Sequence, residues 1–139
     1  MLFPKKVKYR KWHTMRKHPE RVGVATRGAS VDFGSFGLKA MQAGRIRSNQ
    51  IEAARKVLAR SLGKTGKAWI RIFPDMPYTA KPAEVPMGKG KGDIAGYCAP
   101  VKLGRILFEV DGIPESGARE ALRKAGSKLP VKTRVIARQ

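Results

Sequence analysis

The run Ala68-Trp69-Ile70-Arg71-Ile72-Phe73 decides the fold, because its aromatic and β-branched residues favour a strand and the turn-forming run Pro74-Asp75-Met76-Pro77 follows directly. Together they predict a strand closed by a turn. The run Arg105-Ile106-Leu107-Phe108-Glu109-Val110 has the same character and precedes the turn signal Asp111-Gly112. Alternation of apolar and polar residues over 131–136 predicts a further, half-exposed strand.

The segments upstream of this strand predict a helix and a weaker strand. Residues 49–62 place four apolar residues at helical spacing, and Asn49 with Glu52 resembles a capping box. The apolar residues are Ile51, Ala54, Leu58 and Leu62. Residues 31–38 predict a strand that Gly34 and Gly37 weaken.

A second helix is predicted to begin near Pro114, which suits a first helical position, and to stop at Pro130. Glu120 and Lys124 would form an i,i+4 pair on its outer face. Its inner face would hold Ala118, Ala121, Leu122, Ala125 and Leu129. These elements predict one α+β domain over residues 28–139, with two helices packed on a mainly antiparallel sheet.

The charge balance indicates a polyanionic partner. The 139 residues include 30 Lys and Arg against 10 Asp and Glu, a net charge of +20, whereas solubility of a small domain needs only about 2–8. Nucleic acid relieves the resulting self-repulsion, because bound cations release counterions from phosphates. We expect no membrane association, since no stretch approaches the ~18–20 apolar residues of a spanning helix.

The nucleophilic and metal-binding side chains are few. Cys98 is the only cysteine, and His13 and His18 are the only histidines. A structural zinc site needs four N or S ligands. No Ser/His/Asp or Cys/His arrangement typical of nucleophilic catalysis can be recognised in the sequence. We therefore expect no catalysis, no metal and no cofactor, and we predict that Cys98 is a small buried residue.

Residues 1–27 are predicted to form a basic arm. Lys and Arg alternate with aromatic residues without a helical or strand period, so the arm should be largely disordered without a partner. On RNA, the cations would meet phosphates while the rings stack on bases. The candidate RNA-binding residues are Lys5, Lys6, Lys8, Arg10, Lys11, Trp12, His13, Arg16, Lys17 and Arg27 of the arm, Arg55, Lys56 and Arg60 of the first helix, and Arg71.

Residues 81–95 are predicted to be a flexible loop that contacts RNA. The core of the loop is Met87, Gly88, Lys89, Gly90, Lys91 and Gly92, in which glycines let the backbone approach closely and lysines supply charge. Gly90-x-Gly92-x-x-Ala95 also matches the dinucleotide fingerprint formally, but that motif must end a strand and open a helix. Glu84 and Asp93 flank the loop and are interpreted as solvated charges or partners of nearby lysines.

Several blocks in order resemble the L-sixteen family of bacterial large-subunit ribosomal proteins. They are Met1-Leu2-Phe3-Pro4-Lys5-Lys6 with Arg10-Lys11, Phe33-Gly34-Ser35-Phe36-Gly37-Leu38-Lys39-Ala40, Gln50-Ile51-Glu52-Ala53-Ala54-Arg55, Trp69-Ile70-Arg71-Ile72-Phe73-Pro74-Asp75, Met87-Gly88-Lys89-Gly90-Lys91-Gly92 and Lys128-Leu129-Pro130-Val131-Lys132-Thr133. The match runs nearly end to end. It departs from the family at Pro86, where members usually carry a basic residue, at residues 96–100, where members often have a Tyr-Trp pair, and around residues 18–21, which form a longer segment than usual.

The resemblance implies a hammerhead-type α+β fold and a structural role in the large ribosomal subunit without enzymatic activity. The implied partners are large-subunit rRNA, transfer RNA and other ribosomal proteins, with the chain a monomer within the ribosome. The arm would thread into rRNA, and the loop from Met87 to Gly92 would point toward the peptidyl transferase centre and transfer RNA. The implied location is a cytoplasmic ribosome, or that of an organelle of bacterial ancestry. The residues alone also allow a free basic RNA chaperone or a nucleoid-type nucleic-acid-binding protein.

Overall fold

The chain has an α+β fold, as the sequence predicts, in a computed structural model that describes residues 1–14 and 22–139. The helices and strands of these residues are β1 (Phe36–Ala40), β2 (Gly44–Arg47), α1 (Ser48–Leu62), β3 (Lys67–Ile70), β4 (Met76–Ala80), β5 (Asp93–Val101), β6 (Ile106–Asp111), α2 (Glu115–Gly126) and β7 (Thr133–Ala137). None of the helices in these two ranges has the length and apolar character needed to cross a membrane.

The strands form two antiparallel sheets, where the sequence predicts one. The first sheet has the order β3-β6-β1-β7 and the second the order β2-β5-β4. The second sheet is hard to foresee because Met76 and Pro77, which indicate a turn in the sequence, lie within β4. Proline is tolerated there because β4 is an edge strand, whose outer side needs no hydrogen-bond donor. Strands β4 and β5 thus form a hairpin whose connection is residues 81–92.

The core lies between the first sheet and the two helices. Residues 106–110 of β6 are all fully buried, and the predicted inner face of α1 is buried against them. The predicted inner face of α2 is confirmed for Ala118, Ala121, Leu122 and Ala125. Leu129 instead lies beyond the end of α2, where it packs half-buried against the core. Burial of apolar side chains at about 25 cal/mol per Å² therefore holds both helices on the sheet.

The boundaries differ from the sequence prediction where local hydrogen bonds decide them. At the start of α1 the Arg47 amide donates to Gln50 Oε1 at 2.9 Å, so the capping box does not use Asn49 and Glu52. Pro114 is the residue that caps α2, and helical structure begins one residue later. The predicted pair of Glu120 and Lys124 is present at 3.1 Å. Strand β3 ends at Ile70 rather than at residue 73.

Candidate nucleic-acid interface

The described part of the basic arm presents its cations to solvent. Lys5, Lys6, Lys8 and Arg10 are exposed, His13 is exposed, and Lys11 and Trp12 are half-buried. The predicted contacts Arg16 and Lys17 fall outside the described residues. The end of the arm is attached to the domain, because the Ala25 amide donates to the Leu103 carbonyl at 2.8 Å. Arg27 is exposed, and its carbonyl accepts a hydrogen bond from Arg105 Nη1 at 3.1 Å.

The Gly/Lys loop occupies residues 81–92, shorter than the predicted 81–95 because residues 93–95 belong to β5. Its backbone uses the left-handed region repeatedly, with φ of +98° at Gly88, +57° at Lys89 and +106° at Gly90. Glycine adopts this region without steric cost, whereas a lysine there is unusual. Met87 is 90% exposed at the tip, and Lys81 Nζ donates to the Gly88 carbonyl at 2.5 Å, which links the base of the loop to its tip.

The dinucleotide fingerprint in this loop lacks the structural context that it requires. Residues 90–92 lead into strand β5, so no helix N-terminus follows to hold a pyrophosphate. Within the described ranges, no group of three or more His, Cys, Asp and Glu side chains could hold a metal ion. Cys98 is buried, as predicted, and burial raises the pKa of its thiol. The fingerprint therefore lacks the helix that the motif requires.

The arm and the loop contact one another. Lys11 Nζ donates to the Lys91 carbonyl at 3.4 Å, and Lys91 Nζ donates to the Trp12 carbonyl. Both bonds use backbone oxygens as acceptors, so neither neutralises a lysine. The two segments that the sequence marks separately therefore form one surface, which we call the arm–loop surface, residues 1–14 with 81–92. The charges on this surface are available to phosphates.

The outer face of α1 is basic but partly neutralised. Arg55, Lys56 and Arg60 are exposed along it, as the helical period predicts. Arg55 Nη2 lies 2.5 Å from Glu52 Oε1, and this hydrogen bond lowers the pKa of Glu52 and raises that of Arg55. Lys56 and Arg60 form no ion pair with a described residue. They are the stronger candidates for phosphate contacts on this helix.

Arg71 is committed to an internal network. Its Nη1 lies 2.9 Å from Oε1 of Glu109, a fully buried carboxylate, and its Nη2 lies 3.4 Å from Asp32 Oδ2. Only 14% of the Arg71 side chain is exposed. An RNA contact by Arg71 stays a prediction, and the geometry favours a structural role in which it compensates the buried acid.

Sequence reasoning missed a pair of arginines on β2. Arg45 and Arg47 are exposed, and the Arg47 guanidinium lies 5.0 Å from the centre of the Tyr78 ring on β4. The signal was present, since Arg45-Ile46-Arg47 alternates with the period of a strand around the buried Ile46. These arginines extend the basic character of the three-stranded sheet that carries the loop.

The comparisons with known proteins agree with this arrangement. The family model described as ribosomal protein L16p/L10e matches residues 4–136. The chain is 54% identical over 138 residues to the large ribosomal subunit protein uL16 of Afipia carboxidovorans, covering 99% of this chain and 98% of that protein. The uL16 proteins of Rhodopseudomonas palustris strains BisB18 and CGA009 are 54% and 53% identical over the same shares. The chain therefore belongs to the ribosomal protein L16p/L10e family.

Proposed function

We propose that this chain is a structural constituent of the large ribosomal subunit and binds large-subunit rRNA through the arm–loop surface. The observation that carries the proposal is the contact between Lys11, Trp12 and Lys91, which joins two uncompensated basic segments on a domain of this family. The proposed rRNA contacts are Lys5, Lys6, Lys8, Arg10, Lys11, Trp12, His13, Arg16, Lys17 and Arg27 of the arm, Arg55, Lys56 and Arg60 of α1, and Arg71.

The expected contacts are mainly to phosphates and to RNA shape. Side chains cannot read the deep major groove of double-helical RNA, and most of the candidate residues are lysines and arginines. Each neutralised phosphate contributes about −0.9 to the slope of log K against log salt on a duplex. The phosphate contacts should therefore weaken steeply with salt, while the contacts to RNA shape keep the chain on its specific site at high salt.

The loop from Met87 to Gly92 is proposed to reach transfer RNA. Its exposure and its glycines support close backbone approach to a second RNA while the arm is held on rRNA. Pro86, where the family usually has a basic residue, stiffens the base of the loop because proline fixes φ. The role is positional, with no bond made or broken by the chain, and rRNA, transfer RNA and neighbouring ribosomal proteins are the partners.

The test is sedimentation of a native lysate on sucrose gradients at low and high salt. We expect the full-length chain to stay on the large subunit through high salt. Lys5→Gln with Lys6→Gln in the arm should weaken this retention, whereas the charge-matched control Arg123→Gln with Lys128→Gln, on and after α2, should not. A distribution over all RNA that disappears at moderate salt would instead indicate a free RNA chaperone.

A further inference from the structure

Two aromatic rings on the first sheet lie together at the protein surface. Phe33 and Trp69 stack with their ring centres 6.3 Å apart and their planes 23° apart. Trp69 is on the edge strand β3, and Phe33 precedes β1. Phe33 is 56% exposed despite this contact. More than half of the Phe33 surface therefore remains open to solvent beside the Trp69 contact.

A cation flanks each ring. Lys67 Nζ lies 5.3 Å from the centre of the Trp69 ring, and the Arg71 guanidinium lies 4.9 Å from that of Phe33. The two cations differ in freedom, because Arg71 is held by Glu109 while Lys67 is exposed and forms no ion pair with a described residue. Asp32, 57% exposed, is the acid at this rim, and it shares the single charge of Arg71 with Glu109, so Arg71 and Lys67 together balance two carboxylates. Lys67 is the cation of this group that forms no ion pair with a described residue.

The rings are held in place before any ligand arrives. The Phe33 amide donates to Glu109 Oε2 at 2.9 Å, which fixes the backbone of Phe33 over the sheet. Gly34 allows this close approach, since a Cβ there would lie 2.5 Å from the Val110 carbonyl oxygen. Beside the rings, Trp69 and Arg71 line an open groove of about 790 Å³ along the edge of β3.

We propose that Phe33 and Trp69 form a stacking platform for an unpaired RNA nucleobase, with Lys67 turning outward to the adjoining phosphate. The inference rests on the proposed function and adds an RNA contact outside the arm, the loop and α1. Single-stranded nucleic acid is bound by aromatic faces combined with cations, because every base has a stacking surface and every nucleotide a charge. The chain's net charge of +20 favours a polyanion such as RNA as the occupant over an apolar surface of another protein.

The experiment compares binding of full-length variants to a short oligouridine and to a duplex RNA of equal length. Phe33→Leu should weaken oligouridine binding about tenfold, because stacking on one ring is lost. It should leave duplex binding unchanged, since paired bases are already stacked. Phe33→Tyr keeps the ring and should bind like the parent. Met41→Ala, which removes an exposed apolar side chain in the β1–β2 turn, is the matched control.

Salt titration separates base stacking on the rings from the phosphate contact of Lys67. Lys67→Ala should lower the salt slope on oligouridine by about 0.7, the value for one phosphate of a single strand, while Phe33→Leu should leave the slope unchanged. Photo-crosslinking of oligouridine followed by mass spectrometry should place the adduct on Phe33 or Trp69. Thermal unfolding of Phe33→Leu checks that the fold persists.

Equal affinity of Phe33→Leu and the parent for oligouridine would overturn the platform, as would an equal loss on duplex RNA. If Phe33→Leu keeps its affinity for RNA but no longer binds another ribosomal protein, that protein is the occupant of the two rings, and the platform is overturned as well. Failure of the platform leaves sedimentation with the large subunit intact. Absence of the parent chain from the large subunit would instead overturn the proposed function.

Discussion

Replacing Glu109 by alanine should destabilise the fold more than any surface change. The Glu109 carboxylate is fully buried in the central strand β6 and accepts three hydrogen bonds. The donors are the Asp32 amide at 2.7 Å, the Phe33 amide at 2.9 Å and Arg71 Nη1 at 2.9 Å. One side chain therefore ties the segment before β1 to the sheet and to the end of β3.

The magnitude follows from what Glu109→Ala leaves behind. Removing one partner of a buried ion pair costs about 3–5 kcal/mol, because the other charge stays desolvated. Arg71 is 14% exposed and recovers some hydration, which places the expected loss near the lower end, at about 3 kcal/mol. Glu109→Gln keeps one acceptor oxygen, but its NH2 group would face a donor where the second carboxylate oxygen was, so it should cost about 2 kcal/mol.

Urea unfolding followed by tryptophan fluorescence measures these losses. With m of about 1–3 kcal/mol/M, the alanine variant should unfold at least about 1 M earlier than the parent. In a double-mutant cycle with Arg71→Met, the double variant should lose less than the sum of the single losses, with a coupling energy of about 1–3 kcal/mol. A loss below about 1 kcal/mol in Glu109→Ala, or strictly additive single losses, would refute this account of the network.

Three further changes test packing, charge and burial. Gly126→Ala should destabilise the fold by about 1–3 kcal/mol, because a Cβ there would clash with Thr133 Oγ1. Gly117→Ala in the same helix meets open space and should stabilise the fold by up to about 1 kcal/mol. Urea titration of both variants checks this contrast, and equal effects of the two would contradict it. Hydrogen bonds from the Ser35 hydroxyl and, to a smaller extent, from the Gly112 amide hold the pKa of Asp111 below its ordinary value. The resulting stabilisation is present at neutral pH and lost as the pH falls below about 4, so Asp111→Asn should unfold at lower urea than the parent at pH 7, with a difference that shrinks in acid. Burial raises the pKa of the Cys98 thiol, so a disulfide reagent should label Cys98 slowly until urea unfolds the chain, and rapid labelling without urea would argue against a closed core.

Periodicity alone was sufficient to predict the elements that build the core. The apolar residues of α1 and α2 recur at helical spacing, and the described structure buries those of α1 and four of the five predicted for α2. The predicted strand around Leu107 coincides with β6 to within one residue. In these segments local propensity and burial favour the same structure, so a local pattern carries the information.

The second sheet and the Glu109 network depend on contacts between distant residues. In the sequence alone, Pro77 indicates a turn. In the structure it is tolerated within a strand because β4 lies at the edge of its sheet. Glu109 and Arg71 are 38 positions apart, so nothing near either residue in the sequence indicates that the acid is buried. For the same reason the arm and loop were predicted separately, although Lys11 and Lys91 bring them together.

The division of charge within the molecule connects the fold to its RNA partner. Several of the ten acids are used inside the domain, where Glu52, Glu109, Glu115 and Glu120 each pair with a cation. The sequence contains no acid between residues 1 and 14 or between residues 85 and 92. The arm–loop surface carries eight Lys and Arg against one acid, Glu84, and hydrogen bonds from Lys11 and Lys91 to backbone oxygens hold its two basic segments together against their mutual repulsion. A polyanion that neutralises both segments removes this repulsion, so rRNA bound there as proposed would stabilise the same contact that shapes the surface.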